Sequence, residues 1–230
     1  MVGISQTILA ANRDVWDDMQ SHRFIEDIAA DRLPLDVFER YLVFEYGFVE
    51  TAMLIFGHAM LKASSFRQRR WLIGVLHALA EEQMGTFRQA FNALGIAPPT
   101  SADPPVPEAV RAFSRGMMDV AQTGDYPDLL AIMLAAEWMY AAWCSRIDLA
   151  TIDSPELRRW VALHASSGFL AQAAWLRAEI DTVAAKADVA GRDRLSSLFR
   201  RALLLEIDFH HAAYDTSWSV PRRTLEDTLL

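Results

Sequence analysis

Apolar residues recur along the chain at spacings of three and four, and no clear stretch alternates with the period of two that marks a half-buried strand. The pattern predicts an all-α protein with short connections. A long helix is expected to begin at Pro34, where a missing N–H costs nothing, and to run through "LDVFERYLVFEYGFVETAMLIFGHAML". The next run, "SSFRQRRWLIGVLHALAEEQMGTFRQAFNALG", is ended by Gly95 and the Pro-rich stretch "APPTSADPPVP". Then come "EAVRAFSRGMMDVAQTG" and "DYPDLLAIMLAAEWMYAAWCSRIDLA", the second with Pro127 in its first turn. "DSP" at 153–155 reads as a cap, with Ser154 accepting from the backbone and Pro155 as the first helical residue. Two long segments follow, roughly 155–188 and 191–215, separated near Gly191.

The Pro-rich stretch is the one plausible domain boundary, yet each half would hold only three or four helices and expose many aromatic positions. The expectation is one bundle of seven or eight helices over residues 1–218, with 219–230 as a C-terminal tail. No fixed-period repeat or low-complexity tract is present.

Composition narrows the class. The chain is 52% hydrophobic and 23% charged, as in a globular protein, and its net charge of −8 argues against nonspecific nucleic-acid binding. The run "FRQRRW" at 66–71 reads as a solvated helix start rather than a DNA-recognition element. Cys144 is the single cysteine, which rules out an intramolecular disulfide and Cys-based zinc sites. The N-terminus is amphipathic and acidic, without the pattern of a secretory signal, and a cytoplasmic location is expected. The apolar run "LLAIMLAAEWMYAAWC" is interrupted by Glu137 and soon reaches Arg146, so it reads as a buried helix, and no membrane span is expected.

That interruption is the first chemical clue, because a charge in a buried helix costs several kcal/mol unless it is paired, protonated or used. Similar interruptions occur elsewhere. Glu45 and Phe48 share a helix face, and Ala136, Tyr140 and Trp143 form a stripe with Glu137 at its edge. His164 is followed by small residues that leave room for a ligand, and Glu206, Phe209 and His210 share one face. Each has a bland reading: a buried Glu often partners an Arg or a Trp N–H, a lone His is often a satisfied core residue, and aromatic stripes are usually packing.

Other chemistries fit less well. Glu206 with His210 and His77 with Glu81 have helical ligand spacing, but a di-iron bundle uses E-x-x-H on two helices and none occurs, so no metal is expected. No Gly-x-Ser-x-Gly elbow or glycine-rich phosphate loop is visible. Cys144 has no His within a turn to activate it and reads as a small buried hydrophobe.

Taken in order, "SHRFIEDIAADRLPLDVFERYLVFEYGFVE", "TGDYPDLLAIMLAAEWMYAAW", "HASSGF" and "EIDFHHAAYD" resemble the TenA family, the thiaminase II proteins of the haem-oxygenase-like fold. The resemblance runs from about Ser21 to Asp215. It implies that the family's catalytic glutamate falls on Glu206, its aromatic wall on Phe209, the tyrosine beside the nucleophile on Tyr140, and the substrate-holding aspartate on Glu45. It also implies departures. The family's nucleophilic cysteine falls on Ala136, its tyrosines fall on Phe48, Phe113 and His164, and a tryptophan becomes His210.

In the cysteine-less branch of the family a glutamate is associated with the missing cysteine, and here it would be Glu137. A carboxylate activates water more readily than it attacks a ring. The resemblance therefore implies a hydrolase acting on an aminopyrimidine or formylaminopyrimidine intermediate of thiamin salvage. Glu206 would be the proton donor and Glu137 the base or water-orienting group. Glu45 and His164 would hold the ring's polar edge, with Phe48, Phe113, Tyr140 and Phe209 forming a stacking slot. No cofactor is implied, and a homotetramer or homodimer is. The alternatives are a non-hydrolytic protein binding a small aromatic ligand and a di-metal or cofactor-free oxygenase on the same fold.

Overall fold

Helix starts in this chain are written in short polar side chains, and a computed structural model, which describes residues 3–100 and 105–223, shows them at work. Ser65 opens α5 (Phe66–Ala78) with a reciprocal capping box to Gln68, and Asp125 opens α8 (Tyr126–Cys144) with the same device to Asp128. Ser154 caps α9 (Pro155–His164) as the sequence predicts, Ser166 caps α10 (Ser167–Val183), and Asp188 caps α11 (Val189–Ala212). Before α5 come α1 (Ile4–Ala11), α2 (Arg13–Gln20), α3 (Arg23–Ala29) and α4 (Leu35–Lys62), which starts directly after Pro34. Between α5 and α8 lie α6 (Met84–Leu94), ended by the left-handed Gly95, and α7 (Glu108–Thr123).

The described residues form more helical segments than the seven or eight expected, because breaks at Asn12, Ser21 and Ala165 divide runs that periodicity alone joins. The segment read as 155–188 is two helices, and the break expected near Gly191 falls earlier. Gly191 is inside α11, its N–H donating to the Asp188 carboxylate at 2.8 Å. Among the described residues there is no strand, only an isolated bridge between Ile96 and Arg222. That bridge also bears on the tail. Arg222 pairs with the buried carboxylate of Glu39, and Ala97 donates its N–H to the Pro221 carbonyl, so residues 219–223 are tied to the bundle. The rest of the proposed tail, 224–230, lies outside the described residues.

α8 is buried nearly all round, as a helix without a polar face must be, and it contacts α2, α4, α7, α9, α10 and α11. The buried hydrophobics of the bundle form one contiguous core. At the end of α4, the Lys62 ammonium donates to the carbonyls of Ala121 and Gly124, each at 2.6 Å, fixing α4 to the end of α7. No helix among the described residues is long and apolar enough to cross a membrane.

One irregularity positions the site. The run from α5 to α6 is interrupted by a π-helical turn, Leu79–Gln83, which widens the helix by a residue and re-aims the side chains that follow. Ala78, Leu79, Glu82 and Gln83 all face a large cavity.

Candidate active site

Side chains from α4, α5, the π-turn, α7, α8, α9, α10 and α11 surround a cavity of about 830 Å³. That size suits a drug-sized organic ligand. Glu45, Phe48, Phe113, Ala136, Glu137, Tyr140, His164, Glu206 and Phe209 all line it. Although they are scattered from position 45 to 209, helix packing brings these sequence-predicted residues together. His210 is the exception: it does not line the cavity but sits fully buried behind Tyr140, its ring against Phe24 and Tyr41. It is a core residue that supports the wall, not a direct ligand contact.

Glu206 on α11 is 1% exposed, and its Oε2 has no hydrogen-bond partner among the described residues. Burial pushes its carboxyl well above the usual range, and the charges of Glu45 and Glu137 push it further. That environment favours its protonated form. Glu137 on α8 also has an unpartnered, inaccessible Oε2, and burial raises its pKa to about 7, opposed by His164 and by a hydrogen bond from Gln172. Burial thus favours the protonated form of both carboxyls, a setting in which a carboxyl can serve as an acid.

Glu45 is held differently. Its Oε2 accepts from the Trp160 indole N–H at 2.6 Å, and its Oε1 lies 3.4 Å from His164 Nε2. His164 Nδ1 lies 2.9 Å from the Trp160 carbonyl, which can only accept, so Nδ1 carries a hydrogen. The other ring nitrogen then faces the Glu45 carboxyl. The bland reading of Glu45 as the partner of a Trp N–H is correct as far as it goes, and it coexists with a place in the cavity wall.

Tyr140 approaches Tyr41 with 2.6 Å between hydroxyl oxygens and lies 3.4 Å from His210 Nε2. His210 Nδ1 donates to the Glu206 carbonyl at 2.7 Å, which leaves Nε2 as an acceptor. Burial holds His210 down at about 3, so it stays neutral. The aromatic wall differs from an open slot. Phe48 and Phe113 stack on each other at 4.1 Å and Phe113 packs on Phe209 at 5.2 Å, so a flat ligand meets one free face of Phe48 rather than a gap between the rings.

Ala136 faces the cavity with a methyl group, while Cys144 is buried outside the lining, its thiol pushed up by burial and by Glu45. Among the described residues, no cluster of three or more His, Cys, Asp or Glu has a metal-holding arrangement.

Sequence reasoning missed the outer wall. Phe66, Arg67, Arg70 and Trp71 line the cavity, although "FRQRRW" reads as a solvated helix start. Trp175 and Gln172 of α10 face them, with the Trp71 and Trp175 rings stacked at 3.7 Å and 6°. The signal was Trp71, Gly74 and Ala78 at helical spacing, a face that arginines on either side obscure.

Comparison with known proteins agrees with this architecture. The profile of the family described as TENA/THI-4/PQQC matches residues 9–216. The aminopyrimidine aminohydrolase of Halalkalibacterium halodurans is 26% identical over 204 residues, 87% of this chain and 91% of that protein. The solved TenA homologue of Pyrococcus furiosus superposes with a TM-score of 0.83 at 18% identity, covering 92% of this chain and 100% of that one. A domain of unknown function with a haem-oxygenase-like fold from Shewanella denitrificans gives 0.71 at 12% identity, with 92% of each chain covered. The fold is haem-oxygenase-like, and with almost the whole described bundle inside the profile, this chain belongs to the TENA/THI-4/PQQC family.

Proposed function

We propose that the chain is a hydrolase acting on an aminopyrimidine, or its N-formyl derivative, of the kind formed in thiamin salvage. One observation carries the reading: Glu137 and Glu206 share an aromatic-walled cavity, and each has an inaccessible carboxyl oxygen with no hydrogen-bond partner among the described residues. Its likeness to an aminopyrimidine aminohydrolase agrees with that chemistry.

In this reading Glu137 is the base and Glu206 the acid. Ionised Glu137 takes a proton from water as the water oxygen bonds to the electrophilic carbon. Glu206 gives its proton to the leaving nitrogen as the C–N bond breaks. For an N-formyl substrate the products are formate and the amine; for an aminomethylpyrimidine they are the hydroxymethyl compound and ammonia. Glu45 and His164 hold the ring's amino and nitrogen edge, and the exposed face of Phe48 stacks on the ring. Ala136 offers no nucleophile, so water reacts directly.

Incubation with aminomethylpyrimidine, its N-formyl derivative and thiamin, followed by mass spectrometry, tests this. Turnover of one of the first two without thiamin cleavage is expected, and no turnover of either overturns the reading.

The pH profile is a second expected result. Because Glu137 must be ionised and its pKa is raised to about 7, kcat/KM should fall about tenfold per pH unit below that value. Glu206 must be protonated, and burial pushes its pKa well above the usual carboxyl range, so the rate should fall again at higher pH. Replacing Glu137 by Gln should remove the acid limb along with most of the rate. A wild-type profile flat from pH 5 to 8 would be incompatible with Glu137 as the base.

A further inference from the structure

The outer half of the cavity has features that a single aminopyrimidine does not use. A ligand of about ten heavy atoms displaces no more than roughly 300 Å³, allowing each atom a water's share of about 30 Å³. The cavity holds about 830 Å³. Its wall along α5 and the π-turn runs from Phe66 to Gln83, about 25 Å at the α-helical rise. Part of the room is made by small side chains: Ala52, Gly74, Ala78 and Gly168 all face it, and a Cβ on Gly74 would meet nothing within 4 Å.

Charge is distributed unevenly along that length. Glu45, Glu137 and Glu206 lie in the buried part, and Glu82 stands twelve residues, about 18 Å, along the helix from Arg70. The opposite end is basic. Three arginines cluster in α5, and two are tied to the fold: Arg67 pairs with the buried Glu179 at 2.6 Å, and Arg69 donates to the Ala63 carbonyl at 2.6 Å. Arg70 lines the cavity and has no hydrogen bond or ion pair with any described residue. Beside it stands the rigid flat wall of Trp71 on Trp175.

We propose that the site takes a longer substrate, in which an amino-heteroaromatic head is joined through the scissile C–N bond to an acyl chain ending in an anion, and that Arg70 selects that anion. This rests on the hydrolytic reading above and names its substrate class. The head lies among the carboxylates, the acyl chain follows the Trp71 wall, and the terminal carboxylate or phosphonate-like group meets the free guanidinium. Water adds its oxygen to the acyl carbon, the C–N bond breaks, and the amine leaves with a proton. The acyl part departs as an acid with two anionic ends, and no further reactant is needed.

The test uses aminomethylpyrimidine carrying ω-carboxyacyl chains with two, three or four methylenes, each paired with its neutral ω-amide, and one ω-phosphonoacyl compound. In the wild-type protein, kcat/KM for the best anionic compound should exceed that of its neutral partner by about tenfold, and the ratio should shrink with added salt. In Arg70→Gln the ratio should fall to about one. Because it is taken within each protein, a general loss of activity cannot imitate this result. Carboxylate and phosphonate arms distinguish the two anions, and preference for either supports the proposal. A wild-type ratio of one, or a ratio unchanged in Arg70→Gln, overturns it. If no compound is hydrolysed, the same pairs are titrated by tryptophan fluorescence. A tenfold affinity ratio that collapses in Arg70→Gln upholds the ligand class while the hydrolytic reading falls, and equal affinities overturn the ligand class as well.

Discussion

Glu206→Gln should lower kcat/KM for the hydrolysed aminopyrimidine at least about hundredfold, the range for loss of a general acid, while leaving the protein folded. Gln keeps the size of the side chain and its carbonyl oxygen but has no acidic proton to give the leaving nitrogen. Folding should tolerate it, because burial already favours the uncharged carboxyl and its Oε2 has no hydrogen-bond partner among the described residues. Two measurements are needed together: steady-state kinetics, and a denaturation midpoint within a few degrees of wild type. Near-wild-type turnover by a folded Glu206→Gln protein would falsify the assignment of Glu206 as the proton donor. If activity is lost, a further check is whether formate or ammonia still leaves from a substrate with a better leaving group, since such a substrate needs the acid less.

The second large effect is expected at Trp160, a residue that touches both stability and the site. Its ring is 2% exposed and packs against Phe24, Tyr41, Tyr140, Trp143 and His164, while its N–H holds Glu45 at 2.6 Å. Trp160→Ala removes a large buried ring and should cost about 3–5 kcal/mol of folding stability, from transfer and the cavity left behind. Trp160→Phe isolates the hydrogen bond. It keeps most of the packing but leaves a buried carboxylate oxygen without its donor, and should cost roughly 1–3 kcal/mol. Denaturant titration measures both. Glu45 is then free to turn toward His164 or water, so Trp160→Phe should also raise KM more than it lowers kcat. If Trp160→Phe is as stable as wild type and binds substrate equally well, the indole N–H does not position Glu45.

Both predictions depend on residues whose types stand out in the sequence but whose relations do not. Glu206 and Glu137 are visible as carboxylates in apolar helices. Trp160 is one of seven tryptophans in the chain, and nothing in its own segment marks it as the donor that holds Glu45. Its partner lies 115 residues away. The same limit explains the misplacement of His210. Helical spacing puts it on one face with Glu206 and Phe209, but that face is wide enough for its edge to turn into the core, where the ring nitrogen meets a backbone carbonyl. The arginines of α5 err in the other direction. Three cations in four residues read as a solvated surface, and they are largely exposed, yet the helix carrying them forms one wall of the cavity.

The linear order of residues is enough to mark this chain as all helix, to place most of its helix starts, and to expose which polar residues interrupt apolar faces. These properties follow from the 3.6-residue period and from caps that act within three or four residues of the backbone they satisfy. Helix packing is what turns those interruptions toward one cavity from α4, α7, α8, α9 and α11, encloses Glu137 and Glu206 so that burial raises both pKa values, and extends the cavity along α5 and α10 to an arginine with no partner among the described residues. Those outcomes depend on burial and on charges distant in sequence, and both exist only once the helices have packed.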